Sequence, residues 1–285
     1  MEVQIAGIKV KQKMLKVLGK LAIFLVLLVE IYPIFWILIS SFKTTQDFNM
    51  SPSYSLPTSL HLDNYVVAWT QGKMNIFFKN SAINTLVSLF FIVVFSTTAS
   101  FALTKMRWKY REVVEKIFLS GIMIPTAVVL IPLFTMYKKA NLLNTRTSLI
   151  ITYIAFGLAL SIYLLSTYLK YIPNDLIEAA FMDGANIYQI FSLIILPLLK
   201  TGIVTVVVIQ FFMRWNDLMF SMTFISKTEL KTVQTGLLYF SDMYGNRNWG
   251  AIFASIAISV LPTLILYGIL NKMVIEGMTS GAVKG

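Results

Sequence analysis

The chain has 285 residues, of which 57% are hydrophobic and only 13% charged, and its mean hydropathy of +0.74 is too high for a soluble domain of this length. It carries a net charge of +11, no cysteine and one histidine, His61, which excludes disulfides, thiolate chemistry, Cys-ligated metals, His-cluster zinc sites and a Ser-His-Asp triad. Neither Gly19-Lys20 nor Gly72-Lys73 has a glycine five residues upstream or a Ser or Thr after it, so the chain holds no P-loop for ATP.

In chain order, Lys9, Lys11, Lys13, Lys16 and Lys20 precede the first of six apolar stretches, at about residues 21–41, 82–104, 117–137, 148–169, 200–220 and 251–271. Each is long enough to cross a bilayer core as a helix. Runs this continuous are not barrel strands, and a backbone in hydrocarbon must satisfy its own polar groups. The expected fold class is therefore an all-α membrane protein with six transmembrane helices, in a single domain over 1–285. The first stretch is too long for a signal-peptide core and lacks a small-residue cleavage site, so no cleavable leader is expected. Within it lies Glu30, an ionisable group in a costly place; Tyr32 can satisfy it, or a cavity or the bilayer edge can.

The short connection after the second stretch holds Lys105, Arg107, Lys109, Arg111 and Lys116. Both basic clusters abut span ends, which places them in the cytoplasm under the positive-inside rule. With six spans, both termini and the 173–200 segment then lie inside. Lys138, Lys139 and Arg146 fall on the outer side and oppose the bias. Basic residues that flank spans, with no recognition fold, do not read as nucleic-acid binding. In the third stretch Pro125 and Pro132 lie on one face, and each removes a backbone hydrogen bond and so bends the helix.

Residues 173–200 read PNDLIEAAFMDGANIYQIFSLIILPLLK. Pro173 bars helix upstream, Asp175 can cap the next turn, and Glu178 three positions on can complete a capping box, so a short helix should start at about Asp175. Ala179 and Ala180 keep its surface low, which lets another protein approach the backbone. Gly184 permits the positive φ that ends the helix, and Ile187, Ile190, Phe191 and Ile194 recur at helical spacing on a second amphipathic segment. On this chemistry alone an ordinary capped interfacial helix is the favoured reading.

Glu178-Ala179-Ala180, three residues, Gly184, nine residues, Ile194, one residue and Leu196-Pro197 resemble the cytoplasmic "EAA" loop of permease subunits in binding-protein-dependent ABC importers. The likeness extends through Tyr32-Pro33, Trp36 and Ser40-Ser41-Phe42-Lys43, an outer loop with Pro52, Pro57 and Asp63-Asn64-Tyr65, then Asn80-Ser81, Ile131-Pro132-Leu133 and Trp215-Asn216-Asp217. The run from Gly277 to Gly285 is similar to the tail of maltose-type "G" permease subunits.

This resemblance implies a type I ABC importer permease with six transmembrane helices and a cytoplasmic EAA coupling helix, in a bacterial cytoplasmic membrane. It implies transport of a sugar or oligosaccharide, with a non-sugar solute as the alternative. The implied partners are a second permease subunit, two ATPase subunits that hold ATP-Mg, an extracytoplasmic solute-binding protein and membrane lipid; no cofactor or metal is expected on this chain. Glu178, Ala179, Ala180 and Gly184 would dock the ATPase, with Asp183 as an electrostatic or capping neighbour, and Gly281 and Lys284 would extend the cytoplasmic contact. Asn84, Gln210 and Asn216 can hydrogen-bond a sugar in a translocation path, or simply join helices. A secondary transporter would need coupling-ion sites in broken helices of an inverted repeat, and the spans show few carboxylates and no repeat. A membrane-embedded enzyme would need a catalytic constellation that one histidine and scattered acids do not supply.

Overall fold

The computed structural model describes residues 2–243 and 248–280, with side chains for 13–238 and 248–270. Gly281 and Lys284 lie outside the described residues. Helices follow in the order α1 (Glu2–Ser40), α2 (Thr45–Met50), α3 (Asp63–Thr70), α4 (Met74–Thr104), α5 (Arg111–Ser120), α6 (Thr126–Lys139), α7 (Arg146–Lys170), α8 (Asp175–Met182), α9 (Ile187–Gln189), α10 (Leu196–Leu198), α11 (Lys200–Trp215), α12 (Met219–Phe224), α13 (Val233–Met243) and α14 (Trp249–Ser280), and no strand occurs among the described residues. A π-helical turn, Ile190–Ile195, joins α9 to α10.

Four helices, Lys13–Ser40, Met74–Thr104, Arg146–Lys170 and Trp249–Leu270, are long and apolar enough to cross a membrane. Two bent pairs bring the number to six: Arg111–Met123 with Thr126–Lys139, at 101°, and Ile187–Leu198 with Lys200–Trp215, at 71°. The stretch at 117–137 is thus not one straight span, and the one at 200–220 begins just after a bend. Pro125 stands before α6 with extended backbone and breaks the third, whereas Pro132 is accommodated inside α6. The fifth helix ends at Trp215 rather than at residue 220.

The chain divides into two compact units, Met1–Gly72 with Met243–Ile258 and Lys73–Asp242 with Ser259–Gly285. In the first, Thr44 and Asp47 form a reciprocal capping box that starts α2, and Thr58 donates to Asp47 Oδ1 at 3.0 Å. Asn64 donates to the carbonyls of Ser41 and Lys43, both at 2.9 Å, which ties the end of α1 to α3. Lys43 is fully buried; its ammonium donates to Ser53 O at 3.0 Å and lies 5.3 Å from the Phe48 ring centre. Phe48 stacks on Phe253 at 5.2 Å. Glu30 is exposed on α1 and makes no bond to Tyr32.

In the second unit α4, α7 and α11 pack along faces rich in small residues. Asn80, Ser81, Asn84, Thr85, Ser88, Ser96, Thr97 and Ser100 of α4 are all buried, and such side chains let helix backbones approach closely. Asn80 donates to the carbonyls of Glu229 and Lys231 at 2.8 and 3.0 Å and accepts from Arg146 Nη2 at 2.7 Å. Nearby, Gly236 faces the fully buried ring of Phe77; a Cβ there would stand within 2.7 Å of Phe77 Cε2 and Cγ. A rigid buried ring cannot yield as a flexible chain end can. Gly236→Ala is therefore expected to destabilise the purified subunit by about 1–3 kcal/mol. Gly268→Ala, where a Cβ meets nothing within 4 Å inside α14, should not lower its stability. A thermal melt of both variants in detergent checks the contrast, and equal melting temperatures would refute this packing.

Candidate functional site

Helix α8 begins at Asp175, where the Pro173 and Gly184 punctuation places it. Its start differs from the expected capping box. Asn174 occupies the cap position in helical conformation (φ −68°, ψ −26°) and no side chain caps the first amides. Asp175 already lies in the first turn, and Glu178 stays exposed, where its charge still favours the positive end of the helix dipole. The reason lies in a residue remote in sequence: Lys105 Nζ donates to Asn174 Oδ1 at 2.8 Å and to Ile172 O at 2.6 Å. Partial withdrawal from water holds the Lys105 ammonium below the usual lysine range.

The far end of α8 closes through the backbone. The amides of Asp183, Gly184 and Ala185 donate to the carbonyls of Ala179, Phe181 and Ala180 at 3.0, 3.0 and 2.9 Å. Gly184 has φ +83°, the left-handed conformation that favours glycine. Asp183 is exposed and contributes its amide, not its carboxylate, to the closure. The next segment opens on a capping box that sequence reasoning missed: Asn186 Oδ1 accepts from Gln189 N at 3.0 Å, and Gln189 Oε1 accepts from Asn186 N at 2.8 Å. The Asn-x-x-Gln spacing was the available signal.

Of the two alanines of the motif, one is buried and the other exposed. Ile177 and Ala180 are each 8% exposed and pack into an apolar cluster with Ile92, Phe101, Leu165, Leu169, Ile190, Ile195, Leu199 and Val206. Ala180 is therefore a packing residue on the inner face, and of the pair only Ala179 lies on the open surface. Around Ala179 the free face carries Leu176, Glu178, Phe181 and Met182, the last 88% exposed.

The three residues assigned to a translocation path are not brought together. Gln210 is buried and fully engaged, donating to Gly157 O at 3.1 Å and Ser161 Oγ at 3.0 Å and accepting from Arg214 Nη2 at 3.0 Å; it joins α7 to α11. Asn216 lies exposed at the end of α11, donating to Phe212 O and accepting from Gln234 Nε2. Asn84 is buried with neither side-chain amide atom partnered.

A different polar group borders a cleft. Arg214 lies with its guanidinium 5.4 Å from the Tyr153 ring centre, and Tyr153 OH donates to Asp217 Oδ2 at 2.8 Å. Arg214 and Asp217 line a cleft of about 310 Å³ with Gly121, Ile124, Thr126 and Phe156, beside the break in the bent third span. Sequence reasoning gave neither residue a role, naming Asp217 only as the end of the Trp215-Asn216-Asp217 match, although two charges flanking Trp215-Asn216 in an apolar stretch are a legible flag.

Residues 92–280 match the family described as "Binding-protein-dependent transport system inner membrane component". The chain is similar to "Probable ABC transporter permease protein YurM" of Bacillus subtilis, 34% identical over 92% of this chain and 87% of that protein. It is also similar to "Probable starch degradation products transport system permease protein AmyC" of Thermoanaerobacterium thermosulfurigenes, 34% identical over 90% of this chain and 93% of that one. Among solved structures, a bacterial ABC transporter involved in the import of the acidic polysaccharide alginate superposes with a TM-score of 0.82, at 23% identity over 91% of this chain and 96% of that chain; this likeness concerns the fold. With six candidate spans, counting each bent pair as one, and the family match over most of its length, the chain belongs to the binding-protein-dependent transport system inner membrane components, as a multi-pass permease of the ABC importer fold.

Proposed function

We propose that the chain is the permease subunit of a bacterial importer that carries a sugar or oligosaccharide across the cytoplasmic membrane, using ATP-Mg bound and hydrolysed by two partner ATPase subunits. The observation that carries this reading is α8, a short helix anchored in the core through Ile177 and Ala180 with its other face open. The family description supports dependence on an extracytoplasmic binding protein, and the relative named for starch degradation products supports a carbohydrate substrate. A second permease subunit completes the path. Glu178, Ala179 and Gly184 define the docking surface, and Gly281 and Lys284 extend it. ATP-driven closure of the ATPase pair displaces α8, and the close-packed cluster around Ile177 carries that displacement to the spans, so the path opens to the other side. Along that path Arg214 and Asp217, rather than Gln210, are the polar groups presented to a solute.

In this orientation both termini are cytoplasmic. Arg146 is the outer-side charge that the structure accounts for, because it is turned inward onto Asn80 and so serves packing. A reporter fused after Lys109 is expected to be cytoplasmic and one after Leu60 to be outside. Finding the Leu60 fusion in the cytoplasm would invert the topology and put α8 in the wrong compartment.

The docking role is tested at Gly184. A Cβ there meets open space, but φ is +83°, so a substitution acts through backbone strain of about 1 kcal/mol or more and not through a clash. Gly184→Asp adds a negative charge at the negative end of the α8 dipole. In the assembled complex it should insert normally yet lose ATPase attachment or transport-coupled hydrolysis; Glu178→Lys should act in the same direction and Leu60→Ala should not. Full attachment and coupling in both loop variants would remove residues 175–184 from the transmission path.

A further inference from the structure

We propose that Lys105 is a positioning residue for the docking helix: its ammonium fastens the start of α8 to the end of α4, so that a displacement of α8 reaches that span instead of being lost in the turn between α7 and α8. The inference rests on the reading of α8 as the ATPase-docking element.

The turn is a weak joint without this contact. Helix α7 ends at Lys170, and the amides of Tyr171 and Ile172 are used to close its last carbonyls, those of Tyr168 and Leu169. Pro173 then offers no N–H, and it keeps Ile172 away from helical backbone. Nothing in the backbone from 172 to 174 therefore holds α8 at a fixed angle to α7. Lys105 reaches both sides of the proline, to Ile172 O and to Asn174 Oδ1, and so brackets the joint.

Asn174 shows which contact prevails. Asparagine ranks among the best N-capping residues, yet Asn174 takes helical backbone and leaves the first amides of α8 without a side-chain cap. Its oxygen is given to Lys105. The lysine itself sits at the C-cap of α4, its amide bonded to Phe101 O at 2.8 Å, where a cation also meets the negative end of the helix dipole. One turn earlier Phe101 lies in the same apolar cluster as Ile177 and Ala180. The docking helix is thus joined to α4 in two ways, through the apolar cluster that its middle shares with Phe101 and by a charged hydrogen bond at its start, and two points fix an orientation where one gives a pivot. Both acceptors are neutral.

The test uses amide hydrogen exchange on the full transporter assembled with its ATPase subunits, free and trapped with Mg-ATP and vanadate, which needs no knowledge of the transported sugar. In the unsubstituted protein, ATPase attachment should protect residues 175–184, and trapping should alter exchange in both 175–184 and 101–110. In Lys105→Met the protection of 175–184 should persist while the trapping response of 101–110 is lost, and Lys105→Arg should restore it. Asn174→Ala, which removes the other end of the contact, should weaken the same response, and it serves as the test if Lys105→Met does not assemble. A full response in Lys105→Met, or in Asn174→Ala where that variant stands in, overturns the proposal, as does an Arg variant as unresponsive as the Met variant. If attachment fails to protect 175–184 in the unsubstituted protein, the docking reading itself fails, a result distinct from the loss of the Lys105 contact alone.

Discussion

Ile177 and Ala180 turn inward from a helix whose other face is open, and the seating of that helix depends on the insertion. The cluster they enter takes Phe101 from α4, Leu165 and Leu169 from α7, Ile190 and Ile195 from the π-turn and Val206 from α11. Burying an isoleucine is worth about 1.5–3 kcal/mol, enough to hold an eight-residue helix that could not persist alone in water. Because protein interiors are packed as densely as organic crystals, a helix seated in this way moves with its neighbours or not at all. The proposed transmission rests on packing of this kind, in which one inserted face joins a cluster drawn from several elements.

The bent spans obey a second constraint. Irregular backbone at membrane depth is tolerated where protein buries it or where it lines a cavity. The 101° break at Ile124-Pro125 does the latter: Gly121, Ile124 and Thr126 border the cleft that Arg214 and Asp217 reach. Burial of this arginine and carboxylate is made tolerable by Gln210, which accepts from the arginine, and by Tyr153 and the amides of Phe220 and Ser221, which donate to Asp217. The polar cluster and the broken helix are thus one feature, with the proline opening the space and the charges lining it.

Local chemistry made α8 legible in the sequence, because a helix stop at Gly184 and a start after Pro173 depend on residues adjacent in the chain. The bend at Pro125 was legible for the same reason. The capping box was not: Asp175 and Glu178 had the right spacing, but the competing partner, Lys105, lies 69 residues from Asn174. The same limit hid the inward turn of Ala180, since a motif written as a string does not say which side of a helix faces the core. Gln210 shows it once more. A lone amide in an apolar stretch is compatible with a solute path, and only the positions of Gly157, Ser161 and Arg214 reveal that its bonds are already made.

Charge counting illustrates how sequence position and physical role separate. Lys105, Arg107, Lys109, Arg111 and Lys116 count alike toward orientation, since the positive-inside rule sums charge near a membrane end. In the fold they are not alike: Arg107, Lys109 and Lys116 stand in the open, whereas Lys105 is half-buried against the carbonyl of Ile172. Arg146, at the other end of the α4–α7 pair, is a basic residue tied to Asn80 inside the bundle. A basic residue at a span end therefore has two separable tasks. Its sign can set which way the helix crosses, and its partners determine whether it also fixes the angle of a neighbouring helix.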